Sequence, residues 1–449
     1  MTRMRGVSAG ARRPDPDALA RRAVLKKSRQ LTASNEKFIL GTNSIDNWIF
    51  AMPLDYDPFS DAAMRDPFPL YAAMRAEGRP HFIPQYNAWA LARFADVWEA
   101  SMHHEADVTW TAGALPTQLL LDEPVPHAFT TMDAPDHRKW RGVVRREYTP
   151  EGVRAHESRI RTLVREVLEP LVARGRFDLY SDYANRVFCL NSGYNLGLPR
   201  EDAITWRALI DDMIHRDRGQ RGSSERNQRA AAELGGYLAE YVQMLRRHPD
   251  RASGHTAAYM TTEIDGRRLD DQDMVNLLMN FLIVGSETTP MVCAGALYYL
   301  ERHPAQKAAV LADHGLVQQL FLETARFDQP TNMLCRRAVR DFTLGGADIR
   351  TGQDLLYIYA SANRDEAEFE RADEFDIFRR HERDLTYGAG GHKCLGMHLA
   401  TMAGVIVIEE FLKAAGDYAV LVEECERAYG EHLSGFLHVP VQTTTKREA

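Results

Sequence analysis

The chain has 449 residues, 45% hydrophobic and 26% charged, with 30 Gly, 20 Pro and a net charge of −8. This composition excludes disorder, collagen and coiled coil as whole-chain descriptions, and no run approaches the ~20 uninterrupted apolar residues of a bilayer span. Five scattered cysteines (Cys189, Cys293, Cys335, Cys394, Cys425) make no disulfide framework and suit a reducing cytoplasm, while the acidic balance argues against a general nucleic-acid binder.

Residues 1–40 carry ten Lys/Arg against three Asp/Glu, a local +7 that leaves −15 on the remainder. Residues 1–45 are read as a basic, disordered extension, because Arg21 and Arg22 break the stretch that could form a secretory core. Residues 46–445 are read as one large, mainly helical domain with a smaller β region built from distant segments. Residues 69–77 have helical spacing and 89–93 are strand-like. Long helical stretches fill 151–245, interrupted by a loop at 219–224. A second strand-rich stretch covers 338–359, with turns at Gly345-Gly346 and Thr351-Gly352. Between them, residues 274–284 are apolar but broken by Asn276 and Asn280, which fits a central core helix better than a membrane span. Gly285-Ser-Glu-Thr-Thr-Pro290 follows. An acid and hydroxyls inside such a helix must be satisfied or used. Pro290 cannot donate to the Ser286 carbonyl, so a local distortion is predicted there.

The most informative stretch is Tyr387-Gly-Ala-Gly-Gly-His-Lys-Cys394-Leu-Gly396, followed at once by helical spacing to about Ala414. Glycines let a flat ligand lie against the backbone and leave amide N–H groups to face the sulfur. A cysteine before a helix N-terminus is favoured as a thiolate. Together these are what a haem iron needs from an axial ligand. The same residues also read as a turn around a small buried cysteine. They fail the dinucleotide spacing, which would need a third glycine at Lys393, and no second Cys/His pair stands at zinc spacing.

The loop resembles the haem-binding segment of the cytochrome P-450 family, Phe-x-x-Gly-x-x-x-Cys-x-Gly, with Gly388 and Cys394 in place. Tyr387 stands for the Phe and adds a hydroxyl that needs a partner. The resemblance spans about residues 50–445. Glu323-Thr-Ala-Arg326 is similar to the family's Glu-x-x-Arg clamp, whose meander region is matched by residues 361–365 and 373–376. Val284-Gly-Ser-Glu287-Thr288 is similar to its oxygen-binding motif, and Asp133-x-Pro-x-His137-x-x-x-Arg141 to its propionate-binding helix. Arg336 and His392 match two further propionate positions.

The resemblance implies a triangular helical prism holding haem b (iron protoporphyrin IX), with Cys394 as metal ligand. His137, Arg141, Arg336, His392, Gly388 and Tyr387 are then cofactor-binding, and Glu287 and Thr288 catalytic in proton delivery. It implies a monooxygenase that uses O2 to hydroxylate or epoxidise a small, largely apolar substrate. A peroxide-driven peroxygenase and a non-catalytic haem-binding protein are the competing readings. Electrons would come from a separate iron–sulfur ferredoxin or flavodoxin with its NAD(P)H reductase, docking on Arg138, Lys139, Arg145, Arg146 and Lys393. No membrane and no nucleic acid is involved in this reading. Expected pocket residues are Trp110, Asn280, Val284, Met333 and Phe436, with Asn280 hydrogen-bonding one polar substrate group and Val284 narrowing the space over the iron. Val284 and Asn280 share a helix face with Thr288 by i−4 spacing.

Overall fold

Apolar residues at helical spacing fold into α1 (Asp136–Gly142), α2 (Glu157–Arg174), α3 (Asn185–Leu196), α4 (Ala203–Ile214) and α5 (Glu225–Arg247). The second half adds α6 (Asp271–Ser286), α7 (Thr288–Arg302), α8 (Val317–Phe327) and α9 (Met397–Ala415). The strands that matter here are β1 (His81–Ile83), β2 (Ala88–Leu91), β3 (Thr109–Trp110), β4 (Arg176–Asp178), β5 (Leu334–Ala338), β6 (Asp354–Tyr357), β7 (Asp417–Val420), β8 (Glu426–Arg427), β9 (Phe436–His438) and β10 (Pro440–Thr444), beside two short hairpins at 263–268 and 342–349. This computed structural model describes residues 54–103, 109–111 and 113–444. The basic extension expected over residues 1–45 lies outside them.

The β region is assembled from far-apart segments, as expected. Its main sheet runs β1-β2-β6-β5-β3, with β2 and β6 parallel and the other pairs antiparallel. A second sheet runs β7-β10-β4, and β8 pairs with β9.

Two apolar clusters meet at the central α6–α7 rod. Met274, Leu277, Leu278, Phe281 and Leu282 of α6 pack with Trp206, Leu234, Leu238 and Tyr259. Met291, Leu297 and Leu300 of α7 pack with residues of α2, α8 and α9. By length and composition the run Asp271–Arg302 could cross a membrane, although no uninterrupted apolar run suggested it, yet 61% of its most apolar window is buried inside the molecule. It is used as core.

Asp270 caps α6 by accepting from the Asp273 N–H, with the Asp273 side chain reaching back. The predicted distortion falls at Glu287, where α6 gives way to α7. Its chemistry is visible: the Ser286 carbonyl that Pro290 cannot serve accepts instead from Asn185 Nδ2 on α3, at 2.9 Å. Gly285 is needed at this crossing, since a Cβ there would lie 2.6 Å from Ser192 Oγ.

Glu323 and Arg326 form a bidentate pair on α8, both bonds 2.8 Å long. Arg326 is fully buried and donates to the carbonyls of Asn363 (2.7 Å) and Ala372 (3.1 Å). Glu323 accepts from Asp376 N–H and from Arg379. One helical turn thereby holds the irregular chain 363–379 that leads into the cysteine loop.

Candidate active site

The loop before α9 is closed by the Cys394 N–H donating to the Tyr387 carbonyl at 2.9 Å. Gly388 and Gly390 have φ of +66° and +71°, left-handed values that call for glycine. Tyr387 finds its partner in Thr401 of α9, 2.7 Å away, and Thr401 in turn donates to the Met397 carbonyl. Cys394 keeps exposed surface, yet burial pushes its thiol pKa up, opposed by the Gly396 N–H and Arg141. The sulfur therefore keeps accessible surface although protein surrounds it. Burial opposes the thiolate that the helix terminus, the Gly396 N–H and Arg141 favour, and a nearby cationic iron would tip the balance toward it.

Four cationic or ionisable groups converge beside the sulfur. His137 of α1 stacks on His392, ring centroids 4.0 Å apart. His137 is 1% exposed, and neither ring nitrogen has a hydrogen-bond partner. Burial, then Arg141 and Arg336, depress its pKa to about 4. His392 is lowered by the same influences. Arg336 on β5 is buried and bonded to the Cys335 carbonyl, and among the described residues it meets no acid. Arg141 donates to the Lys393 carbonyl. A buried guanidinium that no acid meets among the described residues calls for an anion.

α6 keeps one open position. Val284 is 48% exposed in a helix whose Leu277, Leu278, Phe281 and Leu282 are buried, and Thr288 opens α7 one turn later, half-buried. Asn280 donates from Nδ2 to Thr130 Oγ1 at 2.8 Å, while its Oδ1 is buried without a partner. Glu287 points away from Val284 into a network that sequence reasoning did not find. It accepts from Arg207 of α4 at 2.7 Å and from the Tyr180 hydroxyl at 3.1 Å, and Arg207 also pairs with half-exposed Asp211. Burial, moderated by Arg207, raises the Glu287 pKa to about 7. Only a basic residue spaced to place it over α6 could have signalled Arg207, and several arginines in 200–229 compete for that role.

Two expected pocket residues are corrected. Met333 is 1% exposed and packs with Tyr56, Tyr71 and Ile358; Phe436 is 4% exposed and packs 4.2 Å from Tyr298. Neighbours on a strand face opposite ways. Leu334 and Leu437, one residue on, keep the half-exposed surface. Trp110 lies on β3, but its side chain is outside the described residues. Lys139 is engaged by Asp136 and Asp265, which removes it from the expected basic patch; Arg138, Arg145, Arg146 and Lys393 are exposed.

Comparison with known proteins places this geometry. The family model for cytochrome P450 matches residues 221–414. A putative cytochrome P450 123 of Mycobacterium bovis is 31% identical over 396 residues, covering 87% of this chain and 97% of that protein. The chain belongs to the cytochrome P450 family. A second P450 relative, vitamin D(3) 25-hydroxylase of Pseudonocardia autotrophica, is 30% identical over 397 residues, 86% of this chain and 96% of that protein. Among solved structures, cytochrome P450 CYP109Q5 from Chondromyces apiculatus matches with a TM-score of 0.76 and 26% identity, covering 88% of this chain and 99% of that one. The chain is therefore a P450 monooxygenase, an oxidoreductase of the haem-thiolate class with the P450 fold. The residues in place fit such a cofactor: an accessible sulfur beside left-handed glycines, orphaned His137 nitrogens, and a buried Arg336 that meets no acid among the described residues and so suits a carboxylate.

Proposed function

We propose that Cys394 ligates haem b through its thiolate. His137, Arg141, Arg336 and His392 take the two propionates, and Gly388 with Tyr387 forms the platform beneath the ring. The observation that carries this reading is the buried His137 ring with both nitrogens unpartnered, stacked on His392 two residues before Cys394, with the buried Arg336 guanidinium acting on both rings. Haem bound this way supplies the activation of O2 that hydroxylates or epoxidises an unactivated carbon.

The protein's own residues do the rest. Glu287, with a pKa raised to about 7, holds a proton near working pH, and Thr288 aligns its delivery across the kink. Such a delivery system favours O2 over peroxide as the oxidant. Val284 narrows the space above the sulfur, and Asn280 offers Oδ1 to one polar group of a small, largely apolar substrate. Electrons arrive from a separate ferredoxin or flavodoxin with its NAD(P)H reductase. Arg138, Arg145, Arg146 and Lys393 steer that acidic partner to the sulfur side. The enzyme works in the cytoplasm, and residues 1–45 form a basic extension to the 46–445 domain.

The visible spectrum of the reduced protein under carbon monoxide tests the central claim. Wild type should show the thiolate-type Soret band, Cys394→Ser should lose it entirely, and Ser at positions 189, 293, 335 or 425 should keep it. An unchanged band in Cys394→Ser removes the assignment.

A further inference from the structure

Segments distant in sequence are linked into a chain of contacts that starts from α6 at Asn280. Thr130 joins Asn280, and Glu123 of the same stretch accepts from Ser223 Oγ at 2.8 Å. Arg216, in the same loop as Ser223, meets Glu431 at 3.1 Å. Leu433 bridges Thr331, which leads into β5 and back to Arg336. The pocket-forming residues expected on and near these segments were all uncharged. The segments contain instead a buried ion pair.

The pair is rigidly set. The side chains of Arg216 and Glu431 are 10% and 2% exposed. Asn332 donates to the Glu431 carbonyl at 2.9 Å and is itself held by the Tyr71 hydroxyl at 2.8 Å. Arg216 spends Nη1 on the His215 carbonyl and Nη2 on Glu431. Its Nε is buried and has no partner. The neighbouring His432 faces the Met333 carbonyl, and burial lowers its pKa, so it adds no positive charge at neutral pH. The result is a fixed donor on a guanidinium whose charge Glu431 already balances. An unmet donor in such a place is costly until an acceptor arrives.

Resting on the reading that the substrate lies over Cys394, we propose that Arg216 is a substrate-recognition residue. Its Nε donates to a neutral oxygen acceptor, a carbonyl oxygen, at the end of the substrate remote from the iron. A carboxylate is disfavoured there, because Glu431 supplies the only negative charge the arginine needs and would repel a second. The substrate class is thus an uncharged, largely apolar molecule carrying a distal carbonyl.

Imidazoles bearing alkyl tails of graded length provide the test, because the ring nitrogen binds haem iron and the Soret shift reports affinity whatever the natural substrate. Three tail ends are compared on the holoenzyme: methyl, methyl ketone and carboxylate. In wild type, at one tail length, the ketone should bind about tenfold tighter than the plain alkyl chain, and the carboxylate should gain nothing. Arg216→Met should erase the ketone advantage. Glu431→Gln, which keeps shape but uncovers the guanidinium, should invert the order so that the carboxylate binds tightest. A structural ion pair would not produce that gain. No tail preference at any length, or no carboxylate gain in Glu431→Gln, overturns the proposal. Absence of any Soret shift with the plain alkylimidazoles would instead overturn the haem assignment beneath it.

Discussion

The two sides of the site handle charge in opposite ways. On the sulfur side, His137 is buried with neither ring nitrogen partnered, and Arg336 is a buried cation that no acid meets among the described residues. On the α6 side every buried charge has its counterpart: Glu287 with Arg207, Arg216 with Glu431. The first arrangement is unstable without a ligand anion, so it marks where a charged cofactor belongs. The second is neutral as built, and suits groups that recognise uncharged molecules or pass a proton. Charge balance, more than polarity, separates cofactor wall from substrate wall.

The sharpest way to test that rule is to unbalance a pair that has no ligand to rescue it. Glu323→Gln leaves Arg326, fully buried, facing carbonyls alone. Breaking a buried pair by removing one partner costs about 3–5 kcal/mol. Urea titration of the variant should show that loss with or without haem. A loss under about 1 kcal/mol would mean that the carbonyl bonds alone hold the arginine, and the charge argument would fail.

Glu287 comes next in size and tests the balanced side through pH. Its folded pKa, raised to about 7 from the usual 4.5, means the folded state binds this proton more tightly than the unfolded chain. The associated stability is full below about 4.5 and is lost as pH rises through about 7. Glu287→Gln has no such proton, so between pH 5 and 8 wild type should lose stability relative to the variant. The change should be on the order of 3 kcal/mol at most. In turnover, product formed per reduced nicotinamide should inflect near pH 7 in wild type and be flat in the variant. Parallel pH profiles would separate Glu287 from proton delivery.

Arg336→Met probes the unbalanced side. Removing a buried guanidinium that no acid meets among the described residues should leave apoprotein stability unchanged or slightly improved. Haem release should accelerate on the order of thirtyfold, about 2 kcal/mol of lost charge-assisted bonding. Transfer of haem to an acceptor protein measures it. An apoprotein that unfolds easily while retaining haem normally would reverse the comparison.

The sulfur side was legible in the sequence because its parts are contiguous. Tyr387 to Gly396 states its glycines, cysteine and histidine in one phrase, and His137 with Arg141 is a helical i,i+4 pair. The α6 side was legible only along α6 itself. Asn280, Val284 and Thr288 follow from periodicity, and Pro290 announced the kink, but nothing local pointed to Asn185 as the donor that repairs it. Arg207, Tyr180, Arg216 and Glu431 act through contacts across 80 to 215 residues of chain. Met333 and Phe436 failed for a different reason. Strand parity reverses with a single step of register, and register is set by partner strands, β6 and β3 for β5, that the segment does not encode.

Asn280 gives the smallest and most local test of the balanced wall. Its amide nitrogen is committed to Thr130, so the residue partly belongs to a protein network, but Oδ1 is left buried and unmet. That oxygen accepts only, so the substrate group it takes must be a donor, a hydroxyl or N–H near the carbon being oxidised. The Arg216 donor takes an acceptor at the other end, so the two would fix a substrate in one direction. Asn280→Leu should weaken binding about tenfold, about 1.4 kcal/mol, and scatter the sites of oxidation. Thr130→Val removes the hydroxyl that holds the amide but leaves Oδ1 present, and should broaden the product ratio with a smaller loss of affinity. Substrate titrations and product analysis on the two variants decide it. Equal affinity and an unchanged product ratio in Asn280→Leu would show that the amide serves only to tie Thr130 to α6.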